Sequence, residues 1–156
     1  MQFQNPTCGT LDWEQTLDEI QRFLASDAES TYSVVVGTDS EQALGITEFA
    51  IVIVVHRHGK GARYFWAREK KPLFATLRDR IWQEVIFSTT LAKSLAEEMI
   101  EREMEGSNVG VHVDIGENGP TKALIREIVG YVRGNGFVPF IKPEAYAAAA
   151  VADRLV

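Results

Sequence analysis

Cysteine is nearly absent: Cys8 stands alone among 156 residues, so no internal disulfide can form. No histidine or second cysteine lies near it in the chain, and it is read as structurally silent. Long apolar runs are missing too. None reaches the roughly 20 residues that a membrane-spanning helix needs. The opening stretch MQFQNPTCGT has neither the basic nor the apolar region of a secretory signal. These absences exclude a disulfide-stapled secreted scaffold and a helical membrane protein, and they lead to the expectation of a cytoplasmic protein. No internal repeat, low-complexity tract or linker divides the chain. One domain over 1–156 is therefore expected, with an N-terminal helical extension over about 1–28 and a core over about 32–156.

What is present is the composition of a soluble globular protein, 46% apolar and 24% charged. The net charge of −6 is unevenly spread. Between Arg57 and Arg80 lie eight basic residues (Arg57, Lys60, Arg63, Arg68, Lys70, Lys71, Arg78 and Arg80), opposed only by Glu69 and Asp79. A globally acidic protein can still grip a polyanion through such a stripe. The same stripe also suits a charged edge strand that resists aggregation. Both readings stay open.

Hydrophobic periodicity sets the elements. Thr10 is a candidate N-cap for a helix over 11–25, whose Trp13, Leu17, Ile20 and Leu24 form one apolar stripe. Segments 32–40, 48–58 and 62–70 read as three strands. The middle one, with FAIVIVV, is apolar on consecutive positions and is expected to be covered on both faces. Pro72 is expected to break the chain. A long helix is predicted over 76–105, stopped by Gly106, then a strand over 109–115 and a helix to about residue 133 opened by Gly119-Pro120-Thr121. A strand over 137–141 and a final alanine-rich helix over 145–156 complete the chain. Short turns make the first three strands an antiparallel meander, and the long helix is a crossover to a parallel strand. The predicted fold class is α/β: a five-stranded mixed sheet in the order 3-2-1-4-5, with strand 2 antiparallel and helices on both faces. Pro139 places strand 5 at one edge, and the basic third strand takes the other.

Four acids fall on this frame with a common direction. Asp39 and Asp114 each follow an apolar strand run, and adjacent parallel strands would deliver both to the carboxyl-end rim where open α/β sheets bind ligands. On the long helix Leu77, Ile81, Glu84, Val85, Ser88, Ala92, Leu95 and Met99 share one stripe, so Glu84 is the acid aimed at the sheet. Asp153 shares a face with Ala149, Ala150 and Val156. Carboxylates on apolar elements are costly to bury unless partnered, and several together suggest divalent cations and phosphate chemistry.

The strand order and the placing of these acids resemble the ribonuclease H-like nuclease superfamily. The stretches Val36-Gly37-Thr38-Asp39-Ser40, His112-Val113-Asp114-Ile115-Gly116, Lys142-Pro143 and Ala152-Asp153-Arg154 are similar to one bacterial branch, the YkuK-type family. The resemblance runs from about Tyr32 to Val156. It implies a nuclease that hydrolyses phosphodiester bonds with two Mg²⁺ or Mn²⁺ ions about 4 Å apart. It further implies that Asp39 bridges both ions, that Glu84 and Asp114 hold one, and that Asp153 holds the other. The implied partner is nucleic acid.

Lesser candidates surround this set. Ser40, Lys142, Thr121 and Lys122 are candidate substrate contacts, the last two at a helix start whose amides could meet an anion. Gly116 to Lys122, GENGPTK, lacks the spacing of a phosphate-binding P-loop. His56 and His58 should lie at the far rim, and His112 is expected in the core or behind the acids. Phe65 and Trp82 are assigned to the core. Two other functions compete with the nuclease: a binding module that keeps the fold without turnover, and half of an actin-like nucleotide site, for which this chain is too short.

Overall fold

The structure is a computed structural model and describes residues 1–104 and 108–143. Asp153, the predicted helix over 145–156 and the predicted stop at Gly106 lie outside the described residues. The chain opens with two strands, β1 (Phe3–Asn5) and β2 (Gly9–Leu11), and a helix, α1 (Trp13–Ala25). The meander β3 (Tyr32–Ala43), β4 (Ile46–Arg57) and β5 (Ala62–Pro72) follows, then the long helix α2 (Leu77–Glu101). Strand β6 (Val109–His112), a single 3-10 turn (Lys122–Leu124), helix α3 (Ile125–Gly134) and strand β7 (Val138–Phe140) complete the described elements.

These strands form one sheet in the order β2-β1-β5-β4-β3-β6-β7. The predicted five-strand order is present intact within it. Strand β4 is antiparallel to both neighbours, while β3 and β6, and β6 and β7, are parallel. Pro139 lies on the outermost strand at its end of the sheet, where its missing N–H breaks no ladder.

The other edge differs from expectation. The basic strand β5 is flanked by the N-terminal hairpin, joined at the rung Gln4↔Trp66. Each strand of this hairpin is three residues long, too short to leave an alternating pattern. Thr10 therefore belongs to β2, and Asp12 is the cap of α1, closing a reciprocal capping box with Gln15. Pro72 ends β5 rather than preceding a break, with its carbonyl accepting from Thr47 Oγ1 at 3.2 Å.

Side-chain alternation divides the sheet into two faces. Val34, Val36, Ile53, Val55, Phe65 and Ala67 join a core built with α1, α2 and α3. Val35, Ala50, Val52 and Val54 gather on the opposite face, with Tyr64 and Trp66 packed against them. The three described helices thus share one face, and of the helices expected on both faces none among the described residues covers the other. Phe65 is fully buried, as predicted, and Trp82 packs against the same core with an edge-to-face contact to Tyr131. On α2, Ile81, Glu84, Val85, Ser88, Ala92, Leu95 and Met99 are buried in the predicted stripe. Leu77, at the first position, is exposed instead.

Helix α2 ends before the predicted Glu105. Glu103 takes φ 53, its N–H bonds Ile100 O at 3.1 Å, and the Met104 N–H returns to Met99 O at 2.8 Å. This is a Schellman stop with glutamate where glycine is usual. Arg102, at the cap, ties α2 to α1 through Glu14 and Asp18 at 2.5 and 2.7 Å.

Two stability changes are expected, each measured by urea denaturation. Glu103→Gly relieves the left-handed backbone and should stabilise by about 1 kcal/mol. At Gly110 a Cβ would come within 2.6 Å of Phe140 Cε2. Gly110→Ala should therefore cost about 1–3 kcal/mol, the range for an overpacked interior site.

Candidate functional site

The last rung between β3 and β6 joins Gly37 to His112. Asp39 lies two residues further along β3, and Asp114 lies two residues past the end of β6. Beyond that rung the chains part. The Val113 N–H bonds Phe140 O and the Lys142 N–H bonds Ile115 O, each at 2.8 Å, so residues 113–115 follow β7 and not β3. The opening lies at the carboxyl-end rim, the usual ligand position in such sheets.

Glu84 approaches from the helical face, about 10 Å along α2 from its first residue. It is 6% exposed. Ser40 Oγ donates to Glu84 Oε1 at 2.5 Å. A second hydroxyl contact, Thr38 Oγ1 to Ser88 Oγ at 2.8 Å, lies alongside it. Two steps on a strand cover about 6.6 Å and four on a helix about 6 Å, so the two contacts match in spacing. The signal for them was Thr-x-Ser on a strand and Glu-x-x-x-Ser on a helix. Sequence reasoning did not pair them. Ser40, a predicted substrate contact, is accordingly buried and engaged with Glu84.

Because Thr38 and Ser40 face α2, alternation turns Asp39 towards the other face, where Ala50 is its cross-strand partner. Asp39 Oδ1 accepts from the Ser40 backbone N–H at 2.8 Å. Asp114 alternates with Val113 and Ile115, which are buried in the helical-face core. Its Oδ1 is buried and lies 2.7 Å from Lys142 Nζ, an ionic approach and not a well-directed hydrogen bond. Among the described residues no group of three or more His, Cys, Asp or Glu side chains converges closely enough to hold a metal ion.

The acids are nonetheless linked through their charge. Burial raises the Glu84 pKa to about 8. The Ser40 hydrogen bond opposes that rise, the negative charge of Asp39 adds to it, Arg80 opposes it and Asp114 adds again. His112, buried and edge-on to Phe140 at 5.1 Å, is pushed down to about 4 by burial and is neutral at pH 7. The close approach of Asp114, with the charges of Asp114 and Asp39, holds the Lys142 ammonium above its usual pKa against desolvation.

The remaining candidates are placed as follows. Thr121 Oγ1 accepts from the Gly116 N–H at 3.4 Å and so braces the loop after Asp114. Lys122 is exposed on the 3-10 turn that precedes α3. His56 and His58 lie with tilted rings 4.8 Å apart at and just past the end of β4 away from Asp39, as expected. The basic window is largely paired within the molecule. Lys60 meets Asp27, Arg68 and Lys70 share Glu48, and Arg78 meets Glu127. Arg57 lies 4.4 Å over the Phe23 ring.

The raised Glu84 pKa has a thermodynamic consequence. Between its ordinary value of 4.5 and about 8 the folded protein keeps a proton that the unfolded chain gives up. This contribution to stability is complete below about pH 4.5 and is lost as pH rises through about 8. Glu84→Gln keeps an acceptor for Ser40 and cannot ionise. Without divalent metal it should match the native protein near pH 4 and exceed it by about 2–4 kcal/mol at pH 9 in urea denaturation.

Comparison with known proteins agrees with this architecture. The family model described as Ribonuclease H-like matches residues 15–156. The chain is 29% identical over 167 aligned positions to the uncharacterized protein YkuK of Bacillus subtilis (strain 168), covering 97% of this chain and 95% of that protein. No solved structure matches. No helix among the described residues is long and apolar enough to cross a membrane. The sheet order, the acids at its parallel rim and the match over most of the length lead to one conclusion: the chain belongs to the ribonuclease H-like family.

Proposed function

We propose that the protein is a metal-dependent nuclease that hydrolyses phosphodiester bonds of nucleic acid. One observation carries this reading: negative charge is concentrated at the parallel-strand rim, enough for Asp39 and Asp114 to reinforce the upward shift of Glu84. The oxygen donors of such a site are hard ligands suited to Mg²⁺ or Mn²⁺. The buried Asp114 Oδ1, lacking a well-directed hydrogen bond, fits a cation ligand. Asp39, Glu84, Asp114 and Asp153 are the residues that would hold the ions. When bound, the ions would supply Lewis-acid stabilisation of the phosphate and a water acidic enough to attack at neutral pH.

The chain's own residues prepare the site in distinct ways. Ser40 fixes one oxygen of Glu84 and so limits its orientation. Glu84 holds a proton at pH 7 and gives it up when positive charge arrives, so ion binding should release protons. Arg80, bonded to Ser40 O at 3.4 Å, brings positive charge near the same rung. The exposed ion pairs of the basic window are individually weak, so exchange of their acidic partners for phosphates is cheap.

A second reading, a nucleic-acid-binding module without turnover, draws on the absence of a closed ligand group among the described residues. Mn²⁺ calorimetry and cleavage assays on single strands, duplexes, hybrids and junctions separate the two. A nuclease should bind Mn²⁺ and cut at least one substrate. Asp39→Asn and Asp114→Asn should each lower cleavage by about 100-fold or more, the scale on which lost transition-state charge stabilisation acts. A binding module should retain its substrate affinity in both variants and cut nothing.

A further inference from the structure

We propose that Lys142 is the resident cation of this site in the metal-free protein, and that a divalent ion reaches Asp114 by displacing it. The proposal rests on the reading of Asp114 as a metal ligand. Its starting point is a contact: Lys142 Nζ lies 2.7 Å from Asp114 Oδ1, an oxygen that is itself buried. An ammonium is a compact point charge, so it can neutralise an oxygen without imposing the planar fork of a guanidinium.

The backbone holds this lysine in place from two sides. Its N–H bonds Ile115 O at 2.8 Å, one residue past Asp114. At Gly116 a Cβ would lie 3.0 Å from Lys142 Cβ, so the bare glycine lets the two chains approach. The loop that carries the acid and the segment that carries the cation are therefore one assembly. The side chain is free to leave it. It is 60% exposed, against 32% for that of Asp114, so the ammonium can swing into water while the carboxylate stays.

Lys142 should consequently matter in opposite directions in the two states. Without metal it offsets the charge of Asp114 beside Asp39 and Glu84. With metal that task passes to the ion, and the ammonium competes with it.

The test uses the full chain with Mn²⁺ as the probe, read by calorimetry and thermal melting. Lys142→Met should lower the metal-free melting temperature and raise Mn²⁺ affinity by about 10-fold, as expected for removal of one adjacent positive charge. The two melting temperatures should converge at saturating Mn²⁺. Lys142→Arg keeps the charge and should stay within about three-fold of the native affinity. Asp114→Asn should lose affinity and become insensitive to substitution at 142. Unchanged or weaker Mn²⁺ binding by Lys142→Met, in a protein whose binding depends on Asp114, overturns the displacement and leaves the nuclease reading standing. Absence of Mn²⁺ binding in both the native chain and Lys142→Met overturns both.

Discussion

Strand β3 is paired along both edges, and the rest of the architecture is positioned from it. It meets β4 from Tyr32↔Arg57 to Ala43↔Ile46 without a bulge in the register. On its other edge it meets β6 over a shorter stretch that stops at Gly37. A one-residue slip on either side would exchange the two faces of the strand. Val34 and Val36 would leave the helical core, and Ser40 would leave Glu84. The buried valines thereby enforce the placement of the polar residues that follow them. The level at which Asp39 stands is fixed by side chains with no chemistry of their own.

Polar groups at this level are arranged in pairs that limit the cost of burial. Thr38 meets Ser88, Ser40 meets Glu84 and Asp114 meets Lys142. Hydroxyls are economical partners here because each can turn to donate or accept. A carboxyl with a hydroxyl partner and two acidic neighbours is comfortable only while protonated. The fold therefore tolerates Glu84 in its neutral form and resists its ionised form, a bias that an arriving cation reverses. This is a trade between stability and function within one side chain: the burial that holds the acid in position also opposes its charge.

The sheet order and the inward face of Glu84 were legible because they rest on long-range regularities. Consecutive apolar residues in β4, alternation in β3 and the 3.6-residue stripe of α2 span many positions and outvote local noise. Glu84 followed from the stripe, whereas the strand ends differ from expectation: β3 continues past Asp39 to Ala43 and β6 stops at His112, two residues before Asp114. The missed features are short or depend on neighbours distant in sequence. Three-residue strands such as β1 and β2 carry no measurable period. The stop of α2 at Glu103 uses a residue that seldom takes a left-handed backbone, so it leaves no glycine signal in the sequence. The exposure of Leu77 depends on where the helix meets the sheet, which no stripe reveals. The division of Asp39 and Ser40 between opposite faces was implicit in alternation. Its link to Glu84 required knowing which face α2 covers.

The two sides of the sheet are fastened unequally. Between β3, β4 and β5 the ladders are long and the side chains interlock on both faces. Strand β7 holds to β6 through Gly110↔Val138 to His112↔Phe140, with the Phe140 ring lying over the bare backbone of Gly110. Under mechanical load this short seam should yield before the long β3–β4 and β4–β5 ladders, like a zip opened from its loose end. The segment that peels away carries Lys142 with it, so a short seam of the sheet is also the one bordering the acidic rim.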